Sequence, residues 1–200
     1  FTKMRDVKTT PEDFAFYAKR AMRLLAEDAI AELQTSPITI QTPCVDQFEG
    51  TAVVDKNQIC AVSIVRAGDS LLEAVRECLP GVPVGKILIQ RDEESPGKEA
   101  KLFYAKMPPG VKDMTIILCD PMLATGGSAM KAIETLVSEF GVSPSNILFA
   151  NMICCPEGLL SMATAYPQIK IVTACIDECL NDQKYIVPGL GDYGDRFFNT

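Results

Sequence analysis

Two hydrophobic patterns take turns along this chain. One is a short continuous run of apolar, often β-branched residues, and the other recurs at three- and four-residue spacing. The continuous runs cover 59–65, 84–89, 114–119, 147–153 and 170–174 and predict strands, with 59–65 and 114–119 patterned as strands buried on both faces of a sheet. Between them lie helical faces. Phe14, Tyr17, Ala18, Ala21, Leu25 and Ala29 mark a first long helix that ends near Leu33. Its start is written as Thr10-Pro11-Glu12-Asp13: Thr as the N-cap, Pro at the first helical position, acids in the first turn. Leu72, Val75 and Leu79 mark a second helix, and Ala129, Ala132, Ile133, Leu136, Val137 and Phe140 a third. Pro156 and Glu157 open a fourth that runs to about Ala165. Ile38 and Ile40 alternate with polar neighbours as a short strand, and 47–57 predicts a turn or hairpin around Gly50. Leu102, Tyr104 and Met107 predict a strand returning from the third one. Strands alternating with helices predict an α/β fold, a mostly parallel central sheet flanked by helices, as one domain over residues 1–200.

Composition narrows the chemistry. Two hundred residues permit one α/β domain with a sizeable core. A net charge of −7 argues against broad binding to nucleic acid or an anionic membrane, while leaving room for a local basic pocket. No apolar run is long enough to span a bilayer and no signal-peptide pattern precedes the first helix, so a cytoplasmic protein is expected. The eight cysteines (Cys44, Cys60, Cys78, Cys119, Cys154, Cys155, Cys175 and Cys179) form no Cys-x-x-Cys pair. Buried free thiols in a reducing compartment are expected rather than zinc ligands or disulfides. There is no histidine, which removes Ser/His/Asp and Cys/His nucleophilic machinery and the usual zinc ligands. Any chemistry must rest on acids, arginines, backbone amides or a bound cation.

The stretch Asp120-Pro121-Met122-Leu123-Ala124-Thr125-Gly126-Gly127-Ser128 joins the 114–119 strand to the third helix. The first amides of a helix lack partners and its dipole is positive there. Two glycines let backbone approach a ligand, and Thr125 and Ser128 add hydroxyl donors, so the loop suits a phosphate monoester. It is not a Walker loop, since no Gly-x-x-x-x-Gly-Lys-Ser/Thr is present. Asp120 at the strand end suits neighbouring hydroxyls such as a ribose diol. The plainer alternative is a strand-to-helix turn with Ser128 as its N-cap. Arg66-Ala67-Gly68-Asp69-Ser70 repeats the strand–turn–helix pattern with a cation at the strand end. Arg66 either grips diphosphate oxygens or pairs on the surface with Glu73 or Glu77. The charged loop from Gln90 through Lys98 is a candidate flap, about 90–107, or simply a solvated loop, with Arg91 at its root as a second diphosphate contact. Near the C-terminus, Gly189, Gly191 and Gly194 spell Gly-x-Gly-x-x-Gly, but only six residues follow. No helix is expected to open there, so the dinucleotide reading fails. An irregular glycine-rich loop over about 185–200, whose backbone groups read the edge of a flat heterocycle, is the alternative to a frayed tail. Tyr185, Ile186, Val187, Phe197 and Phe198 argue that it docks.

The nonapeptide Asp120 to Ser128 resembles the phosphoribosyl-diphosphate (PRPP) motif of the uracil phosphoribosyltransferase family, which has proline second where most type I phosphoribosyltransferases carry two acids. The resemblance extends in order over nearly the whole chain: opening helix, Ile64-Val65-Arg66-Ala67-Gly68, the Arg91-to-Ser95 loop, the nonapeptide and the 185–200 tail. It implies a pentosyltransferase of pyrimidine salvage that makes UMP and diphosphate from uracil and PRPP. It implies catalytic roles for Arg66, Asp120 and Asp192. PRPP would meet Arg66, Arg91, Asp120, Pro121, Met122, Leu123, Ala124, Thr125, Gly126, Gly127, Ser128 and Asp192. Uracil would meet Ile186, Gly191, Asp192 and Tyr193, and Mg²⁺ would be carried mainly by PRPP, near Asp192. A homodimer or homotetramer, with GTP as a candidate effector and neither nucleic acid nor membrane as partner, is also implied. Four features depart from the family: Asp69, the aromatic Tyr193, Asn199 for a usual Gly, and a slightly longer flap through Ser95-Pro96-Gly97. Two other readings compete. One is a PRPP- or nucleotide-sensing regulator that binds RNA or DNA, which fold alone does not distinguish. The other is a silent domain of a uridine kinase fusion, open because the chain starts at Phe1, though the intact nonapeptide speaks against silence.

Overall fold

The runs at 59–65, 115–119 and 147–151 are continuous because their strands are covered on both sides, whereas 84–89 alternates buried and half-buried positions and 170–173 is at most half-buried. The computed structural model describes residues 1–53, 55–91 and 100–200, with the side chains of Lys56 and Arg91 outside the described part. In chain order the helices are α1 (Thr2–Arg5), α2 (Pro11–Ala31), α3 (Asp69–Cys78), α4 (Gly127–Ser138), α5 (Pro156–Ala165) and α6 (Tyr193–Phe198). The strands are β1 (Thr35–Ile40), β2 (Phe48–Val53), β3 (Ile59–Val65), β4 (Val84–Arg91), β5 (Ala100–Lys106), β6 (Thr115–Cys119), β7 (Met122–Leu123), β8 (Ile147–Asn151), β9 (Ile153–Cys154), β10 (Lys170–Thr173), β11 (Cys179–Leu180) and β12 (Ile186–Val187). Six of them form one sheet in the order β10-β8-β6-β3-β4-β5, parallel except for the β4–β5 pair.

Alternate residues of each central strand enter opposite cores. Ile59 and Ala61, Ile117 and Cys119, and Leu148 and Ala150 face one side, with α2, α3 and Tyr193. Cys60, Val62 and Ile64, Ile116 and Leu118, and Ile147 and Phe149 face the other, with α4. α2 begins as expected: the Thr10 hydroxyl accepts the Asp13 N–H at 3.2 Å and Pro11 is the first helical residue. Its buried stripe of Phe14, Ala18, Met22, Leu25, Ala26 and Ala29 is rich in alanine, which lets the helix lie close to its neighbours. From β3 the chain moves first toward β4 and β5, then returns to place β6, β8 and β10 on the other side. The switch in direction falls between β3 and β6, and ligands of such sheets gather beyond the strand ends at that point. Arg66 follows β3 and Asp120 follows β6.

Three expectations change. The hairpin forms between β1 and β2, and Gly50 sits within β2 opposite Ile38 rather than at the turn. Thr42 makes the turn instead: its hydroxyl accepts the N–H groups of Cys44 and Val45 at 3.2 and 3.0 Å. A helix does open after the glycine-rich loop, because Asp192 caps it, its carboxylate accepting the Asp195 N–H at 2.9 Å. It is only six residues long and no βαβ unit follows. Finally, only four of the free thiols are buried: Cys60, Cys119, Cys154 and Cys155, while Cys44 and Cys179 are exposed. Burial pushes the Cys60 thiol up to about 12, so it is inert at neutral pH. Among the described residues, no helix is long and apolar enough to cross a membrane.

Candidate active site

A cavity of about 930 Å³ opens over the C-terminal ends of β3 and β6. One wall is the loop from Met122 to Ser128 and the start of α4, the floor includes Asp120, the second wall is Ile64 to Ala67, and the roof is Asp182 to Ile186 with Gly191 to Gly194.

Asp120 is 8% exposed and stands at the end of a strand whose residues are fully buried or nearly so. Its backbone is fixed at both ends. Its N–H donates to Ala150 O at 3.2 Å, and its carbonyl accepts the Asn151 side-chain amide at 3.1 Å. Asn151 is itself fully buried and held by the Thr173 hydroxyl at 2.9 Å. The Asp120 carboxylate receives one long hydrogen bond, from Met122 N–H at 3.4 Å. Burial therefore pushes its pKa up to about 7, and the Met122 N–H offsets this only slightly.

The rest of the loop divides between ligand-facing and structural duties. Met122 through Ser128 line the cavity, whereas Pro121 is buried and its carbonyl accepts the N–H groups of Met152 and Ile153 at 3.2 and 3.0 Å. Gly126 is the N-cap of α4, not Ser128, and its φ of 86° is a backbone state that side-chain-bearing residues rarely adopt. The N-cap glycine offers no side-chain cap and no acid lies in the first turn, while the Gly127 N–H makes one long hydrogen bond to Thr125 Oγ1 at 3.4 Å. The helix dipole at the cavity wall is therefore met by no negative charge, which suits an anion.

Arg66 lines the cavity but pairs with neither Glu73 nor Glu77. Its guanidinium donates to Asp195 Oδ1 at 2.6 Å and to Thr200 Oγ1 at 2.8 Å, and lies 5.6 Å from the Phe198 ring centre. The next acid, Asp69, turns away and accepts from Lys86 and from the buried Ser63 hydroxyl. The tip of the candidate flap, residues 92–99, and the Arg91 side chain lie outside the described residues.

The C-terminal segment is docked, not frayed. Ile186 and Tyr193 are buried, at 6% and 1% exposure. Tyr193 turns its ring into the core, stacked on Phe197 and edge-on to Phe14, and its hydroxyl donates to Ser70 at 2.8 Å. Its contribution to the cavity is therefore made by backbone. Gly191, Asp192 and Gly194 complete that wall.

Two independent likenesses fit this geometry. The family model described as "Uracil phosphoribosyltransferase" matches residues 1–200. A uracil phosphoribosyltransferase of Lachancea kluyveri is 46% identical over 198 residues, covering 99% of this chain and 89% of that protein. The chain belongs to the uracil phosphoribosyltransferase family. Among solved structures, the AQ2163 protein of Aquifex aeolicus superposes with a TM-score of 0.83 at 29% identity, covering 98% of this chain and 91% of that one. A purine phosphoribosyltransferase of Pyrococcus horikoshii, at 15% identity and a TM-score of 0.51 over 82% of this chain and 83% of its own, shares the fold.

Several residues that shape this phosphoribosyltransferase cleft gave no signal in the sequence. Asn151 sits in an apolar run and reads as an interruption of it. Gly158 lies inside α5, where a Cβ would overlap the carbonyl oxygens of Ala124 and Leu123. The helix packs directly on the backbone of the loop from Asp120 to Ser128. Gly158→Ala is expected to cost about 1–3 kcal/mol through overpacking. It should also raise the KM for PRPP more than that for uracil, because the displaced loop is the anion wall. Melting curves and steady-state kinetics check both; an unaltered PRPP KM would mean the loop absorbs the push.

Proposed function

We propose that the cleft holds PRPP with its 5′-phosphate on the N-terminus of α4, its ribose hydroxyls on Asp120 and its diphosphate toward Arg66. As a uracil phosphoribosyltransferase, the protein forms UMP and diphosphate from uracil and PRPP. The observation that carries the placement is the helix start: a glycine N-cap and no acid in the first turn, walled by Thr125, Gly126 and Gly127, in the same cavity as Asp120 and Arg66. A phosphate monoester is the ligand whose charge and number of acceptors suit that start. A carboxylate at Asp120 then lies on the ribose side, where positive charge develops as the C1–O bond breaks, and Arg66 lies where negative charge collects on the leaving group. Fixing both ends of PRPP supplies orientation.

Uracil occupies the end of the cavity under Ile186, Gly191, Asp192 and the Tyr193 backbone. The edge of the base presents acceptor, donor, acceptor, and exposed backbone amides and a carbonyl on this loop are its complement. Asp192 spends one carboxylate oxygen on the α6 cap, and the other is available to the ligand.

Mg²⁺ bound with PRPP would offset the charge of the diphosphate. Among the described residues there is no cluster of three or more His, Cys, Asp or Glu. Asp120 and Asp192 both line the cavity. Magnesium is commonly held by one or two carboxylates together with substrate phosphates, so this donor set fits a cation that arrives on the substrate.

The test is turnover of the purified protein with PRPP and Mg²⁺ against uracil, cytosine, orotate and hypoxanthine in separate reactions. Nucleotide from uracil alone is expected. Product from another base would move base selection away from the C-terminal loop, and tight PRPP binding with no product from any base would favour a sensor.

A further inference from the structure

Arg66 reaches the cavity from the end of β3, but what holds it there belongs to another part of the chain. The guanidinium lies along the first turns of α6. Asp195 Oδ1 takes one N–H at 2.6 Å, Thr200 Oγ1 another at 2.8 Å, and the Phe198 ring covers it at 5.6 Å. Gly194 lies beneath, where even a Cβ would come within 3.1 Å of the guanidinium. Arg66 lines the cavity; Asp195, Phe198 and Thr200 do not. The three therefore grip the cation from behind. They leave the other edge of a five-donor fork toward the ligand.

The energetics distinguish this contact from a stability device. Both partners are about half exposed, at 46% and 52% of their side-chain surface. An ion pair so exposed adds little to folding. Its value lies in fixing a side chain that otherwise sweeps many rotamers, in a fork whose use depends on orientation. α6 also presents Asp192, Tyr193 and Gly194 to the base end of the cavity. One short helix thus touches both substrate regions.

We propose that Asp195 is a positioning residue: its carboxylate, with Thr200, sets the Arg66 guanidinium for the diphosphate of PRPP and ties the leaving-group end of the site to the base-recognition segment. This rests on Arg66 being a diphosphate contact. Asp195→Ala removes the grip while leaving the α6 cap intact, since Asp192 binds the backbone N–H of residue 195.

The experiment is a double-mutant cycle with the full chain: parent, Asp195→Ala, Arg66→Ala and both together, each assayed for KM and kcat with PRPP and uracil varied in turn. Asp195→Ala is expected to raise the PRPP KM about tenfold, with uracil KM at saturating PRPP moved less than about twofold. In the Arg66→Ala background the same change should add less than about twofold. Asp195→Glu should recover part of the loss. Equal losses in both backgrounds would show that Asp195 acts through the fold, and no loss in the parent background would show that Arg66 needs no support; either overturns the proposal. If Arg66→Ala itself leaves the PRPP KM unchanged, the diphosphate role of Arg66 fails and the positioning role falls with it. That pattern is distinct from one in which Arg66→Ala acts and Asp195→Ala does not. Melting temperatures for all four proteins identify any loss that is due to unfolding.

Discussion

Asp120→Asn is expected to lower kcat/KM by about 100-fold and, in the same protein, to raise folding stability above pH 7. Both effects come from one cause. A buried carboxylate with a single long hydrogen bond is a poor ion at the floor of the cleft, and burial lifts its pKa from 3.8 to about 7. The sign follows from proton binding. Between about pH 4 and 7 the folded protein keeps a proton that the unfolded chain has released. Stability therefore falls as pH rises through this window, and the full penalty is present only above about pH 7. Asparagine has no charge to desolvate, so the penalty disappears. The gain at pH 8 has an upper limit of roughly 4 kcal/mol, and water entering the open cleft will reduce it. At pH 4, where the parent carboxyl is largely protonated when folded, parent and variant should nearly coincide. Urea unfolding at the two pH values gives the comparison. If the variant gained no more at pH 8 than at pH 4, Asp120 would not be a desolvated anion. In turnover, the amide keeps the shape but not the charge that faces the ribose as its C1 bond breaks, so the loss should fall mainly on kcat.

The sequence was most informative where a single physical demand fixes the residue. A strand covered on both faces is apolar almost throughout, and 59–65 reads as β3 although it carries the buried Ser63, whose hydroxyl is satisfied by Asp69. A helix start with Thr, Pro and two acids reads as α2. The loop from Asp120 to Ser128 stands out because few tasks need two glycines and two hydroxyls at a strand end, and the cavity does open over Met122 to Ser128. Contacts between distant segments were not legible. Nothing local distinguishes Asp195 from any exposed acid, yet it holds Arg66 across 129 positions of chain. Gly158 looked like an ordinary helix residue because the reason for its missing side chain is the backbone of another loop. Gly50 misled in the opposite direction, since a lone glycine suggests a turn, while the Thr42 hydroxyl was able to build one from ordinary residues. Tyr193 was placed at the base by its position in the loop. Asp192 starts a helix there, and the helical rotation carries the next ring into the core against Phe14 and Phe197.

Asp177→Ala should have the larger structural effect, although Asp177 itself belongs to no sequence motif. Asp177 is buried, its side chain 3% exposed, between α1 and the loop that follows β12. Arg5 in α1 donates to both its oxygens, at 2.7 and 2.6 Å, and also to the Gly189 carbonyl at 2.9 Å. The Gly189 N–H donates to Asp177 at 2.8 Å, so one carboxylate is the hub that joins α1 to the loop between β12 and α6. Arg196 adds a second tie, donating to the carbonyls of Met4, Leu190 and Asp6. Removing one partner of a fully buried ion pair costs about 3–5 kcal/mol, and with 24% of the Arg5 side chain exposed the cost here falls below that range. Here the orphaned groups are Arg5 and the Gly189 amide, so the loss should be local first: faster hydrogen exchange over residues 186–196, and a raised KM for uracil with a smaller change for PRPP. The Arg5 guanidinium holds the Asp177 carboxyl below its usual 3.8. The pair's contribution is thus complete above about pH 4 and is lost only as pH falls through the lower, folded pKa. The docked loop should accordingly stay protected at every pH from 5 upward in the parent and lose that protection throughout the range in Asp177→Ala. Uniform destabilisation of the whole chain, with exchange at 186–196 rising no more than elsewhere, would show that the ion pair secures the core and not the base site.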